Sequence, residues 1–229
     1  MPTYVVRVWL PDRPGALGAV ASRIGAVRGD LIGIEILERG GGRAIDELEV
    51  VLPDAGLVEL LLAEITEVDG VDVEDVREVI AERPEARLDA LDTASVIIEQ
   101  RSVPDLWLAT IDRARRDFEA TWCALVDLDG PAVLSSSGPA PAAAWLAAFL
   151  AGTRSSERVA AGECGPEGIA AAALTATEPG LGLVLGREGR PFRSRERAHL
   201  AALARIIDNR YLELVMRAPR AAHPSGSSR

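Results

Sequence analysis

The stretch of this 229-residue chain with the most chemical potential comes near its start, at Leu10-Pro11-Asp12-Arg13-Pro14-Gly15-Ala16-Leu17. A strand pattern runs there directly into a helix pattern. The first turn of a helix leaves backbone N–H groups without partners and carries the positive end of the helix dipole. Gly15 has no side chain, so a ligand carboxylate has close access to those amides. A competing use is internal. Asp12 stands where it can cap the helix, with Pro14 at the first helical position, a role that contributes ~1 kcal/mol and needs no ligand.

Few other residues assemble into a reactive set. All 25 basic residues are arginine, which excludes a Schiff base, a phosphate-loop lysine and a lysine general base. Ser135-Ser136-Ser137-Gly138 lacks the G-x-S-x-G pattern and the helix that follows it in a nucleophile elbow. His199 falls in the middle of a helix pattern and His223 in the tail. Cys123 opens a strand as a small core residue, and Cys164 has no base beside it in sequence. The two are far apart and form no CxxC pair, which argues against a zinc site or a disulfide framework. Gly40-Gly41-Gly42 is not followed by a helix that would hold a phosphate. Asp69, Asp72, Glu74 and Asp75 alternate along a strand and are expected to face solvent rather than a divalent cation. The expectation is a chain that is not an enzyme, with no metal and no cofactor.

The net charge is −10, and it is unevenly placed: residues 1–87 hold 18 acidic and 9 basic residues, the remainder 17 and 16. An acidic first part repels phosphate backbones, so no nucleic-acid partner is expected. Met1 is followed by a strand-like run without the basic and apolar regions of a signal peptide. The longest apolar run, 139–152, is shorter than the ~20 residues that cross a bilayer. A soluble, cytoplasmic protein with no membrane partner is expected.

The elements that must position the first loop read as βαββαβ. Tyr4, Val6, Val8 and Leu10 alternate as a strand, and Leu17, Val20, Ala21, Ile24 and Val27 recur at helical spacing up to Gly29. Ile32, Ile34 and Ile36 form a second strand, the triple glycine a hairpin turn, and Leu48, Val50 and Leu52 a third. Leu57, Leu60, Leu61, Ile65 and Val68 mark a second helix, and Val71, Val73, Val76 and Val79 a last strand with an irregularity near Asp75. Both helices then share one face of an antiparallel sheet. The other face leaves Val5, Trp9, Leu37 and Val51 exposed unless something covers them, and a second copy of the chain would. After a polar linker at 83–87, residues 88–217 carry two helices up to Phe118, strands at 122–128, 132–135, 169–174 and 181–186, and a short helix at 142–151. A long final helix follows, capped by Ser194, with Ala198, Leu200, Ala201, Leu203, Ala204, Ile207, Tyr211 and Leu214 on its buried stripe. Residues 218–229 are expected to be a disordered tail.

The segment Asp12-Arg13-Pro14-Gly15-Ala16-Leu17, followed by Gly29-Asp30-Leu31-Ile32 in the βαββαβ order, resembles an ACT domain over residues 1–82. The resemblance implies a ferredoxin-like fold that binds a small amino acid between two copies of the domain, in a homodimer. It places the ligand against Asp12, Arg13, Pro14, Gly15, Ala16 and Leu17 of one copy and the turn at Asp30, Leu31 and Ile32. The amino group would meet Asp12 and Asp30, and the carboxylate the Gly15 amides. Asp30 stands where asparagine is common in that family, and Leu10 where some members have a polar residue. Leu183-Val184-Leu185-Gly186-Arg187, Pro191-Phe192-Arg193-Ser194-Arg195-Glu196 and His199-Leu200, with the hairpin from Cys123 to Leu134, resemble a GAF domain over 88–217. That family binds small molecules or only dimerises, so this second resemblance names no ligand. The fold class expected is α+β, a βαββαβ ferredoxin-like domain followed by a GAF-like domain with an antiparallel sheet. The function expected is a non-catalytic amino-acid sensor. The alternative is a structural dimerisation unit or protein–protein adaptor without a small-molecule ligand.

Overall fold

The computed structural model describes residues 1–79, 86–130, 132–154, 166–174 and 180–217. Residues 83–85 of the linker expected at 83–87, Cys164 and the expected tail from 218 lie outside the described residues, while Ala86 and Arg87 belong to a helix. Two four-stranded antiparallel sheets organise the rest. The first contains β1 (Thr3–Pro11), β2 (Asp30–Gly40), β3 (Arg43–Val51) and β4 (Asp72–Glu78) in the order β2-β3-β1-β4, with α1 (Ala16–Ala26) and α2 (Val58–Thr66) between them in sequence. This is the α+β split-βαβ arrangement that the alternation implies. Val6, Val8, Leu48 and Val50 pack with Val20, Ile24, Leu61 and Ile65 in one core, so the apolar stripes of both helices lie on one sheet face.

Local chemistry explains most boundaries. Gly40 pairs with Arg43 across a two-residue turn in which Gly41 and Gly42 have φ of 59° and 77°, the left-handed backbone that glycine adopts without strain. The irregularity in β4 is a bulge that skips Glu74: Arg7 pairs with Asp75 while Val8 pairs with Val73. β2 carries two further register shifts, and these overturn its expected apolar face, because Ile32 and Ile34 are exposed on this edge strand. Leu60 on α2 is likewise exposed, although helical spacing assigns it to a buried stripe.

The second sheet runs β6-β5-β8-β7, from β5 (Trp122–Asp127), β6 (Ala132–Ser137), β7 (Ile169–Leu174) and β8 (Leu181–Gly186). Helices α3 (Ala86–Glu99), α4 (Val103–Asp117) and α6 (Ser194–Arg217) cover one face around Leu125, Leu183, Leu185, Leu200 and Ile207. Helix α5 (Ala143–Arg154) fills the other, where Leu146 and Leu150 meet Ala124, Val126 and Val184. Ser102 caps α4 by accepting from the Asp105 amide at 3.2 Å.

The open face of the first sheet is not left for a second copy. The segment that enters α6, from Pro191 to Arg195, lies on it, and Val5 and Leu37 are buried. Ser194 was expected to cap its own helix. Its hydroxyl instead donates to the Leu37 carbonyl oxygen and its amide to Glu38, both at 3.2 Å. The start of α6 is held by the first sheet's acidic side chains, which suit the positive end of its dipole.

Candidate functional site

Helix α1 begins at Ala16, two residues later than the sequence implies. Gly15 occupies the N-cap position with φ 88° and ψ −15°, its carbonyl oxygen accepts from the Ala19 amide at 2.9 Å, and no side chain caps the helix. Asp12 therefore does not cap it, and Pro14 lies ahead of the first turn. The reason is the chain's path: the Asp12 amide is tied back to the Gly42 carbonyl oxygen at 2.9 Å, and its carboxylate lies 4.0 Å from the Arg39 guanidinium. The left-handed cap position admits glycine at low cost, and the space where a Cβ would stand is empty. Arg13, Pro14 and Gly15 are exposed, Ala16 is buried and Leu17 is half-buried. The loop thus presents an uncapped helix start to solvent.

Asp30 is exposed at the first residue of β2, Leu31 packs beside the core and Ile32 is exposed. These residues lie at the far end of α1, whose 11 residues rise about 16 Å. The sheet register agrees, since Pro11 pairs with Arg43 at one end of β3 and Asp30 with Val51 at the other. One chain does not bring Asp12 and Asp30 onto a common ligand. Gly29 holds this corner tightly: its amide donates to the Ile24 carbonyl oxygen at 3.0 Å, and a Cβ there would meet Ile24.

Between the two sheets lies a charged cluster that the sequence reading missed. Arg7, only 1% exposed, donates through Nε and Nη2 to Glu47 at 3.1 and 2.8 Å, and through Nη1 to the Pro191 carbonyl oxygen at 2.8 Å. Glu74 and Glu196 stand 3.7 Å from the same guanidinium. Arg193 pairs with Glu74, which also accepts from the Trp9 indole at 3.0 Å, and the Arg193 guanidinium lies 4.9 Å from the Trp9 ring centre. Glu74 was expected in solvent; the bulge turns it into this seam instead. Arg77 bridges Glu47 and Glu119, at 3.0 and 3.1 Å, and Arg190 reaches Glu119 at 2.6 Å. Burial alone would raise the Glu47 pKa, but the Arg77 and Arg7 guanidiniums outweigh it and hold the carboxyl at about 2. Burial pushes Arg187 down to about 10 even though Glu196 pairs with it at 2.7 Å. The available signal was opposite charge at paired positions, Arg7 against Glu47, between the apolar Val5 and Trp9 on the same face.

Other candidates fall in quieter places. His199 is half-buried with its ring 5.0 Å from that of Phe118. Cys123 is buried, and burial pushes its thiol up to about 12. Among the described residues no group of three or more His, Cys, Asp or Glu is arranged to hold a metal ion, and no helix is long and apolar enough to cross a membrane. A cavity of about 300 Å³ opens at the edge of the charged seam beside Arg77, Glu119, Arg187 and Arg190. A groove of about 1180 Å³ runs along Ile98, Gln100, Ser102, Arg210 and Leu214. Neither borders Gly15 or Asp30.

No protein-family model matches this chain, and no curated protein does. Solved structures do. The chain is similar to the ACT domain from GTP pyrophosphokinase of Chlorobium tepidum, at 15% identity and a TM-score of 0.28, over 34% of this chain and all of that one. It is similar to the GAF domain from Acinetobacter phosphoenolpyruvate-protein phosphotransferase, at 15% identity and a TM-score of 0.42, over 61% of this chain and all of that one. An unknown protein from Galdieria sulphuraria aligns over 91% of this chain and 92% of its own, at 11% identity and a TM-score of 0.32. The α+β class rests on the two antiparallel sheets and their order.

Proposed function

We propose that this protein is a non-catalytic regulatory module that binds a small amino acid at the first loop and passes the state of that site to its second half. The observation that carries the reading is the start of α1: no side chain caps its first-turn amides, of which Ala16 donates to the Arg13 carbonyl oxygen at 3.3 Å, and nothing lies within 4 Å of where a Gly15 Cβ would stand. Such amides favour a carboxylate, and Asp12 beside them favours an ammonium. The two acidic positions lie at opposite ends of α1, so a complete pocket would need a second copy. The exposed Ile32 and Ile34 on the edge strand β2 are suited to that contact. The seam around Arg7 offers the route to the second half, because the sheet that carries the loop also holds the start of α6. A ligand that binds one arrangement of the seam better than another would shift the balance between them.

A second reading, an adaptor without a small ligand, draws on that same separation of Asp12 from Asp30. A thermal-shift panel of free amino acids on the full chain separates the two. A ligand present at 100 times its Kd adds about 2.7 kcal/mol, so one amino acid should raise Tm. Asp12→Ala and Asp30→Ala should each remove the rise. A flat response to the whole panel would favour the adaptor.

A further inference from the structure

The cavity of about 300 Å³ at the edge of the seam has walls from both halves of the chain. Asp75 and Arg77 come from β4, Glu119 and Thr121 from the segment between α4 and β5, and the rest from the turn after β8, residues 187–190. Charges in these walls form an alternating row: Asp75 pairs with Arg77 at 3.1 Å, Arg77 with Glu119 at 3.1 Å, and Glu119 with Arg190 at 2.6 Å. The row stops at Arg190. Its side chain is nine-tenths buried, Glu119 is the one carboxylate paired with it among the described residues, and its Nε has no hydrogen-bond partner. A guanidinium carries several N–H donors in a planar fork, and a buried donor without an acceptor bears its desolvation cost. Arg187, buried more deeply still, is satisfied: it donates to the Arg190, Phe118 and Pro191 carbonyl oxygens and to Glu196. After burial, the Arg190 charge is the strongest influence holding the Arg187 pKa down, so two positive charges crowd this end of the cavity.

The geometry points to a binding site for a small monocarboxylate, which continues the row by placing its oxygens on the free side of the Arg190 fork. A carboxylate matches that fork in two parallel hydrogen bonds. A second negative charge on the ligand would face Asp75, Glu119 and Glu188 in the same walls, so a dianion is disfavoured. The volume is at the small end of ordinary ligand sites. This site is separate from the first loop and stands independently of the amino-acid reading. A ligand in it touches β4 of the first sheet and the turn that leads toward α6, and so holds the two halves together.

The test titrates sodium acetate into the ¹⁵N-labelled full chain, with sodium chloride at the same ionic strength and the neutral acetamide as controls. Acetate should shift the Arg190 Nε–Hε signal and the Thr121 and Gly189 amides saturably, and neither control should. Inorganic phosphate should bind more weakly than acetate. Arg190→Gln should lower the acetate affinity, read from the Thr121 and Gly189 amides, by ~10–100-fold, the range for a lost charge-assisted hydrogen bond. The comparison of acetate with acetamide needs no variant and holds even where Arg190→Gln misfolds. Shifts that either control reproduces, or that never saturate, would overturn the site, and tighter binding of phosphate would overturn its restriction to one negative charge. Shifts confined to Gly15 and Leu17 would overturn it as well and leave the first-loop reading standing.

Discussion

Truncating Arg7 to alanine tests the seam between the two halves. The side chain is 1% exposed and satisfies Glu47 twice and the Pro191 carbonyl oxygen once, with Glu74 and Glu196 at 3.7 Å. Arg7→Ala leaves Glu47 with Arg77 alone and the Pro191 carbonyl oxygen with Arg187 alone. Removing one partner of a buried ion pair costs about 3–5 kcal/mol, because the remaining charge is left uncompensated. That is a large part of the ~5–15 kcal/mol that stabilises an ordinary domain. Urea denaturation with Trp fluorescence supplies the assay, since Trp9 lies in the seam and Trp107 in the core of the second half. The expected result is a lower midpoint, with the Trp9-dependent change moving ahead of the rest. A double-mutant cycle with Glu47→Ala should show strong coupling. A loss under ~0.5 kcal/mol, the size of an ordinary surface substitution, or additive single effects, would refute the claim that Arg7 clamps the two halves.

Other consequences follow from the same geometry. The Glu47 carboxyl titrates at about 2 in the folded chain against an ordinary 4.5; its contribution, about 3 kcal/mol, is present above 4.5 and lost as pH falls toward 2, so Glu47→Gln should flatten stability against pH in that window. Gly15→Ala should cost about 1–2 kcal/mol of stability at a φ of 88°, with no clash to relieve, and should weaken amino-acid binding in calorimetric titration. Gly186→Ala should cost more, ~1–3 kcal/mol by overpacking, because its Cβ would overlap the Trp122 indole; equal urea midpoints for the variant and wild type would contradict that packing.

The order of the first half was legible because its strands alternate by twos and its helices recur by threes and fours. Even the β4 bulge left a trace, in the broken valine spacing between Val73 and Val76. The loop position of Asp12 through Leu17 was legible, but its internal geometry was not: the tie from the Asp12 amide to Gly42 comes from a hairpin 30 residues away. Glu74 reads as a solvent-facing charge, and nothing near Arg7 or Glu47 marks them as buried, because their cover arrives from residues 191–196, far along the chain. Local pattern carries no such information.

The central claim is an amino acid seated on the first turn of α1. Amide chemical shifts of the ¹⁵N-labelled full chain, followed through an amino-acid titration, test it directly. The account predicts that the Gly15, Leu17 and Gly18 signals move first and saturably, with those of Asp30–Ile32 following where a second copy closes the site. Signals that stay fixed there across the whole amino-acid panel, or that move only in the second sheet, would contradict it.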